Sequence, residues 1–339
     1  MRIGHNPHKD KAQIASDYFH QIVIPVYIPN QEGYFKDGFE ILKICLQSLF
    51  ATIHSKTYVT IVNNGSCNLV VDYLNELHRQ NKIQEIIHVT NIGYINAMLK
   101  GIAGQKFSLI TTSDADVFFL NGWQSETYTI FESFPKAGAV CPTPSSRSLR
   151  NHTANIYWDN LFNKKIQFNH VVNPEALKKF GLSVGNADFY NAIQLKKYLT
   201  LTSKKCKAVI GAGHFIVTYR SSIFDKLEKR YTDYVLGGNS DDLFDLPVVK
   251  KGFWRLSTID NFAYHMGNVM EDWMHDEVSK LSQGNKNIDY NIKQITSKSN
   301  LSYFIKSKVF GKFILNKKIL RCFLFFKGLT WNESKNYLS

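Results

Sequence analysis

The stretch "LITTSDADVFFLNGW", residues 109–123, decides how the rest of the chain is read. Leu109, Ile110, Thr111 and Thr112 form a short, apolar, partly β-branched run, which predicts a buried strand. The run ends in two aspartates, Asp114 and Asp116, separated by one alanine. Two close carboxylates repel unless something positive lies between them. One reading is a turn-capping aspartate beside a solvated one. The other is a divalent cation held at the carboxyl end of a strand, where open α/β sheets place their ligands. The stretch alone leaves both open.

Working outward, strand and helix patterns alternate. "QIVIPVYIPN" (21–30), "YVTIVNNGS" (58–66), "IQEIIHVT" (83–90) and "FSLITTSD" (107–114) read as strands. "GFEILKICLQSLFATI" (38–53), "LVVDYLNELHRQN" (69–81) and "INAMLKGIAG" (95–104) have helical spacing. This order predicts βαβ units and an α/β fold with a mostly parallel sheet. The loops at the strand carboxyl ends carry Tyr27, Asn63, Asn64, Gly93 and the aspartate pair, so that edge is the expected binding site. Residues 142–207 loosen into "PTPSSRSLRNHT" and polar and aromatic stretches, read as an irregular insertion facing a second substrate. "CKAVIGAGHFIVTYRSSIFDKL" (206–227) predicts a turn, a strand and a helix; residues 237–268 predict an acidic cluster, a helix ending near Gly252 and a strand leading to His265.

The composition is that of a globular protein: 339 residues, 44% hydrophobic and 20% charged. A formal net charge of +13 calls for an anionic partner such as nucleotide phosphates, nucleic acid or an acidic membrane. Five scattered cysteines without a C-x-x-C pair indicate neither a zinc knuckle nor a disulfide framework, and favour a reduced, cytoplasmic setting. The N-terminus shows no apolar signal region, and no apolar run reaches transmembrane length. The stretch 300–328 has seven Lys/Arg and no acid, with apolar residues near helical spacing. It reads either as helices packed on the domain with a solvated basic face, or as an amphipathic segment on an anionic bilayer. The second reading puts the protein peripherally on the inner face of the membrane.

Taken together, "IVIPVYIPN", "IVNNGS", "NIGYINAMLKGI", "TSDADVFF", "GAGHFIVTYRSSIFDKL", "SDDLFDLPVVKKG" and "AYHMGN" resemble, in order and spacing over residues 20–268, the family 2 glycosyltransferases of the GT-A fold. The resemblance implies a Rossmann-like sheet with helices on both faces, and a nucleotide-sugar donor contacted by Pro25, Tyr27, Asn63, Asn64, Gly93, Asn96 and Asp114. It implies Mn²⁺ or Mg²⁺ held by Asp116, with His265 completing the metal or diphosphate site; a structural histidine is the alternative. It also implies a catalytic base on the acidic helix, Asp241 or its neighbour Asp242, with Asp241 chosen by counting back from Gly252. Two departures stand out. Asparagines replace the usual acidic pair at 63 and 64, where an amide adds donors to the acceptor. Ser240 replaces a glutamate, and Pro247 interrupts the helix, so that a helix starting there leaves both aspartates on a loop.

The implied activity is metal-dependent and inverting. It transfers a sugar, by default from a UDP-sugar, to a hydroxyl of a saccharide or lipid-linked saccharide acceptor in surface glycan biosynthesis. The implied organisation is 1–130 for the donor half, 131–275 for the acceptor and catalytic half, and 276–339 for a basic helical tail. Competing readings are a retaining transferase and a non-catalytic basic module for membrane or nucleic acid. No RNP-like, KH or helix-turn-helix pattern supports nucleic acid.

Overall fold

The structure is a computed structural model that describes residues 4–12, 16–104, 106–225, 227, 229–238, 240–282, 292 and 300–338. Alternation of strands and helices begins as the sequence predicts: β1 (His20–Val26), α1 (Gly38–Thr52), β2 (Thr57–Asn64), α2 (Asn68–Arg79), β3 (Glu85–Val89), α3 (Tyr94–Ile102) and β4 (Leu109–Ser113). In β1 the two-residue period sends Ile22, Ile24 and Val26 against α1 and α2, while Val23 packs with α3. β1, β2 and β4 are therefore buried on both faces, as parallel strands in α/β folds are, while the edge strand β3 is half-exposed.

The second half comprises β5 (Val117–Phe119), α4 (Trp123–Ser133), β6 (Ala137–Cys141), α5 (Ala154–Asp159), β7 (Ile166–His170), α6 (Pro174–Ser183), β8 (Lys197–Thr202), β9 (Lys207–Ile210) and β10 (Ile216–Arg220). Then follow α7 (Leu246–Lys250), β11 (Trp254–Ser257), β12 (Ala263–His265) and α8 (Asp272–Ser279). One ten-stranded sheet has the order β3-β2-β1-β4-β10-β6-β11-β9-β8-β7, and β12 pairs with β5 in a separate ribbon. β7, β9 and β10 run against the other seven strands. Strands from before and after α4 share this one sheet.

Two expectations are corrected. Residues 142–207 are not an irregular insertion, because β7 and β8 lie there and, with β9, extend the central sheet. Each strand does alternate apolar and polar residues, IQFNH in β7 and KYLTLT in β8, but both are short, and β7 is an edge strand with exposed positions. The helix expected after β10 is a single turn, Ser221–Ile223.

The C-terminal region forms α9 (Asn300–Tyr303), a wider π-helical turn (Phe304–Val309), α10 (Phe310–Ile314), α11 (Lys317–Phe326) and α12 (Trp331–Asn336). Residues 283–291 and 293–299 of the expected tail lie outside the described residues. Phe310, Ile314, Leu320, Phe323, Leu324 and Tyr337 are buried with Tyr157, Leu199 and Leu256 in the core of the second half. No helix among the described residues is long and apolar enough to cross a membrane. All five cysteines are free.

Behind the sheet, His20 and His54 both bond to the buried Tyr128 hydroxyl, at 2.5 and 2.9 Å. Burial lowers both histidines, His54 to about 4. Between that value and the ordinary histidine range near 6.5 the unfolded chain binds more protons than the folded one, so stability falls as pH falls through this window. Urea midpoints recorded from pH 7 to 4 should decline, and His54→Gln should flatten that decline. An unchanged slope in the variant would remove His54 from this role.

Candidate donor and metal site

β4 ends at the sheet's carboxyl edge, and the Asp114 N–H donates to the Phe215 carbonyl at 2.8 Å, turning the chain toward β5. The β5–β12 ribbon sets His265 opposite Val117, and the Met266 N–H donates to the Asp116 carbonyl at 2.8 Å. His265 Nε2 consequently stands 3.4 Å from Asp116 Oδ2. Ligand atoms of Asp114, Asp116 and His265 lie within 4.8 Å of one another. Behind the ring, His265 Nδ1 is 3.0 Å from Ser183 Oγ at the end of α6, the kind of rear partner that orients a metal-binding imidazole. Gly267 lets the chain leave: its φ is +75°, and a Cβ there would sit 2.9 Å from the Ser183 carbonyl oxygen.

The electrostatics of this wall are unbalanced. Asp114 is pushed up to about 8 by burial and by Asp116 beside it, although the Tyr94 hydroxyl donates to it and opposes the rise. Asp116 is also raised by burial, against the pull of His265. Two half-buried carboxylates and one imidazole are hard-oxygen and nitrogen donors that suit Mn²⁺ or Mg²⁺, and a cation would relieve the repulsion that raises Asp114. The donor set therefore fits the expected metal.

These three residues line a cavity of about 1440 Å³ together with Pro25, Tyr27 and Asn64. Arg147, Arg150, His214 and Phe244 also line it. That volume exceeds an ordinary small-molecule site and has room for two substrates. Tyr27 and Tyr34 are exposed aromatic rings at the donor end.

Not every expected donor residue reaches the cavity. Asn63 and Asn64 are neighbours on β2, so their side chains leave on opposite sides. Asn64 lines the cavity and accepts from the Ile92 N–H at 2.9 Å. Asn63 turns away: its Oδ1 accepts from the Ser66 N–H at 3.0 Å and its amide nitrogen is 2.9 Å from His88. Asn96 is likewise occupied elsewhere, holding both the carbonyl and the N–H of Thr232 at 2.8 Å. Gly93 caps α3 at φ +86°, and a Cβ there would meet the Tyr234 carbonyl oxygen at 2.9 Å. Asn96 and Gly93 thus fasten the 232–235 loop over the donor edge.

The acidic segment departs from expectation in its backbone. Asp241–Asp245 forms one π-helical turn that runs directly into α7, so Pro247 lies within a continuous helical run, just after the wider turn. The aspartates are therefore on a helical turn and not on a loop. Asp241 and Asp242 are exposed and stand outside the cavity wall, while Ser240 and Phe244 of the same segment line it. Asp245 is buried; its carboxyl is pushed up to about 7 by burial, and Arg255 pulls it back down.

Arg255 is the residue that sequence reading missed. Fully buried on β11, it lies 2.8 Å from Asp245 and donates to the Asn151 and Ala212 carbonyls, each at 3.0 Å. It thereby ties the acidic turn to two loops at the cavity. His152, in a left-handed conformation at φ 55°, stands 3.9 Å from Asp241, and His214 stands 3.5 Å from Asp245. The available signal was a lone arginine inside the apolar strand "FWRLS", because a buried charge needs a partner. Arg255→Met should cost about 3 kcal/mol or more by leaving Asp245 buried and unpaired. Urea unfolding measures it, and wild-type stability in the variant would show the pair to be dispensable.

A family model described as glycosyl transferase family 2 matches residues 22–199. Among solved structures, TarS of S. aureus is similar at 13% identity over 78% of this chain, with a TM-score of 0.43; this chain spans 39% of that one. TarS 1–349 in complex with UDP-GlcNAc is similar at 11% identity, covering 94% of this chain and 70% of that one, with a TM-score of 0.42. The mannosyltransferase PcManGT from Pyrobaculum calidifontis, in complex with GDP-Man and Mn²⁺, is similar at 12% identity over 97% and 76% of the two chains, with a TM-score of 0.43. No curated protein matches the sequence. Because the family model covers more than half of the 339 residues, the chain belongs to glycosyltransferase family 2, and it is a glycosyltransferase.

Proposed function

We propose that the protein is a metal-dependent, inverting glycosyltransferase that moves a sugar from a nucleoside-diphosphate sugar to a hydroxyl of a saccharide or lipid-linked saccharide in surface glycan biosynthesis. The observation that carries the reading is the convergence of Asp114, Asp116 and His265 on one wall of the large cavity. A UDP-sugar is the proposed donor, on the family resemblance. Asp116 and His265 would hold the cation, with Asp114 reaching the ribose or a water on it. When bound, the cation supplies charge neutralisation for the departing diphosphate.

The chain's own residues supply the rest. Tyr27 and Tyr34 offer ring faces for the base. Asp241, on the same turn as the cavity-lining Ser240 and Phe244, accepts the proton from the acceptor hydroxyl. The acceptor oxygen bonds to the anomeric carbon from the face opposite the diphosphate, the carbon–oxygen bond to the donor breaks, and nucleoside diphosphate leaves. Asp245 and Arg255 fix the turn that carries Asp241.

Titration calorimetry with UDP-sugars and Mn²⁺ should show that Asp116→Ala abolishes metal-dependent donor binding, with a smaller loss in Asp114→Ala. Donor affinity in Asp116→Ala equal to wild type would sink the metal role. A screen of nucleotide-sugars for Mn²⁺-dependent hydrolysis separates the enzyme from a non-catalytic basic module, which would release no nucleoside diphosphate.

A base acts in the transition state, so Asp241→Asn should lower kcat by about 10² or more with donor affinity near wild type. Asp242→Asn should turn over normally. The reverse ranking would move the base to Asp242, and full activity in both variants would place it elsewhere.

A further inference from the structure

The C-terminal helices carry more apolar surface than the core uses. Along the continuous helical run from Asn300 to Ile314, Phe310 and Ile314 face inward and are buried. Leu301, Ile305, Val309 and Phe313 recur every fourth residue and are all exposed, Leu301 at 67% and Phe313 at 58%. At about 100° per residue, Phe310 lies about 180° from Leu301. Four-residue spacing keeps the exposed set together, and the wider turn at Phe304–Val309 reduces its drift. A helix apolar on both sides belongs between two apolar layers, and here only one is present.

The exposed face is also basic. Lys308 and Lys312 are exposed and fall within the same sector as Leu301 and Ile305. Lys317 and Lys318 are exposed at the start of α11, which ends in Phe325 and Phe326, the latter 80% exposed. The surface continues onto the end of α5: Trp158 packs edge-on against Phe310, and Phe162, four residues later, is exposed beside Lys164 and Lys165. Not all seven basic residues of the segment contribute, because Lys306 is held by Asp159 and Lys327 lies over Phe323.

We propose that this outward face of the C-terminal helices docks on an anionic lipid bilayer, with Leu301, Ile305, Val309 and Phe313 inserted at the headgroup boundary and the exposed lysines against lipid phosphates. Apolar side chains interleaved with lysines, and no acid from 300 to 328, match an anionic interface. A second copy of the chain would set lysines against lysines, which opposes pairing through this face. The sequence shows Ile305, Val309 and Phe313 at helical spacing alongside Phe310 and Ile314; the fold sends the latter two inward and leaves the former three exposed.

Co-sedimentation of the full chain with phosphatidylcholine vesicles, with and without phosphatidylserine, tests this. Binding should require phosphatidylserine and weaken with salt. Lys308→Glu/Lys312→Glu/Lys317→Glu/Lys318→Glu should reduce it by at least about tenfold, given the contribution of each charge at such a surface. Ile305→Ser/Val309→Ser/Phe313→Ser should reduce it comparably, with the melting temperature of the wild type, since these side chains are already in water. The proposal is overturned if the wild-type protein stays in the supernatant with phosphatidylserine vesicles, or if the serine variant binds as the wild type does. It is equally overturned if the chain instead forms a concentration-dependent dimer that the serine variant abolishes.

Discussion

Asp114 and Asp116 cannot both be comfortable where the chain puts them. They sit half-buried at the edge of the sheet, Asp116 raising Asp114, and the surrounding groups only partly compensate. Tyr94 donates a hydrogen bond to one and His265 approaches the other. Much of the neighbouring architecture maintains this arrangement. The β5–β12 ribbon carries His265 into place, Ser183 braces its far nitrogen, and glycine at 267 allows the close passage of the backbone. The repulsion between the two carboxylates is one that a bound cation would relieve.

Around the acidic turn the same economy appears with opposite sign. Arg255 is a buried charge whose neighbours are Asp245 and two loop carbonyls, so a single guanidinium joins the acidic turn, the 142–153 loop and the β9–β10 loop. The π-helical turn at Asp241–Asp245 widens the backbone at the point where two exposed carboxylates must stand beside a buried one. The result separates two kinds of aspartate within five residues: exposed ones at 241 and 242, and a buried one at 245 that fastens the turn.

The C-terminal region shows how a segment can serve two environments. Its buried residues complete the core over β8 and β11, and Lys197 forms an ion pair with Glu333 that clamps α12 to β8. Its other side leaves large apolar residues in water among lysines. The two faces lie on one short helical run, so docking outward would require no unfolding of the inward face.

The sequence by itself determined the alternating strands and helices of residues 20–113 and the placement of the aspartate pair at a strand end. Those features depend on local rules: two-residue and 3.6-residue apolar periods, and turns marked by Gly, Asn and Asp. The order of the motifs likewise sufficed to identify the family. Tertiary structure decided the rest, because pairing between distant segments leaves little local trace. Only the fold shows that β2 turns Asn64 toward the cavity and Asn63 away, and that Asn96 holds a loop instead of a ligand. Only the fold sets His265 beside Asp116 and Arg255 beside Asp245, and shows that β7 and β8 extend the sheet through a stretch of weak patterning. In the C-terminal helices the sequence displays apolar and basic residues without saying which side meets the core. Packing chose Phe310, Ile314 and Leu320 for the interior and left Ile305, Val309 and Phe313 outside, since one sheet face can cover only one side of a helix.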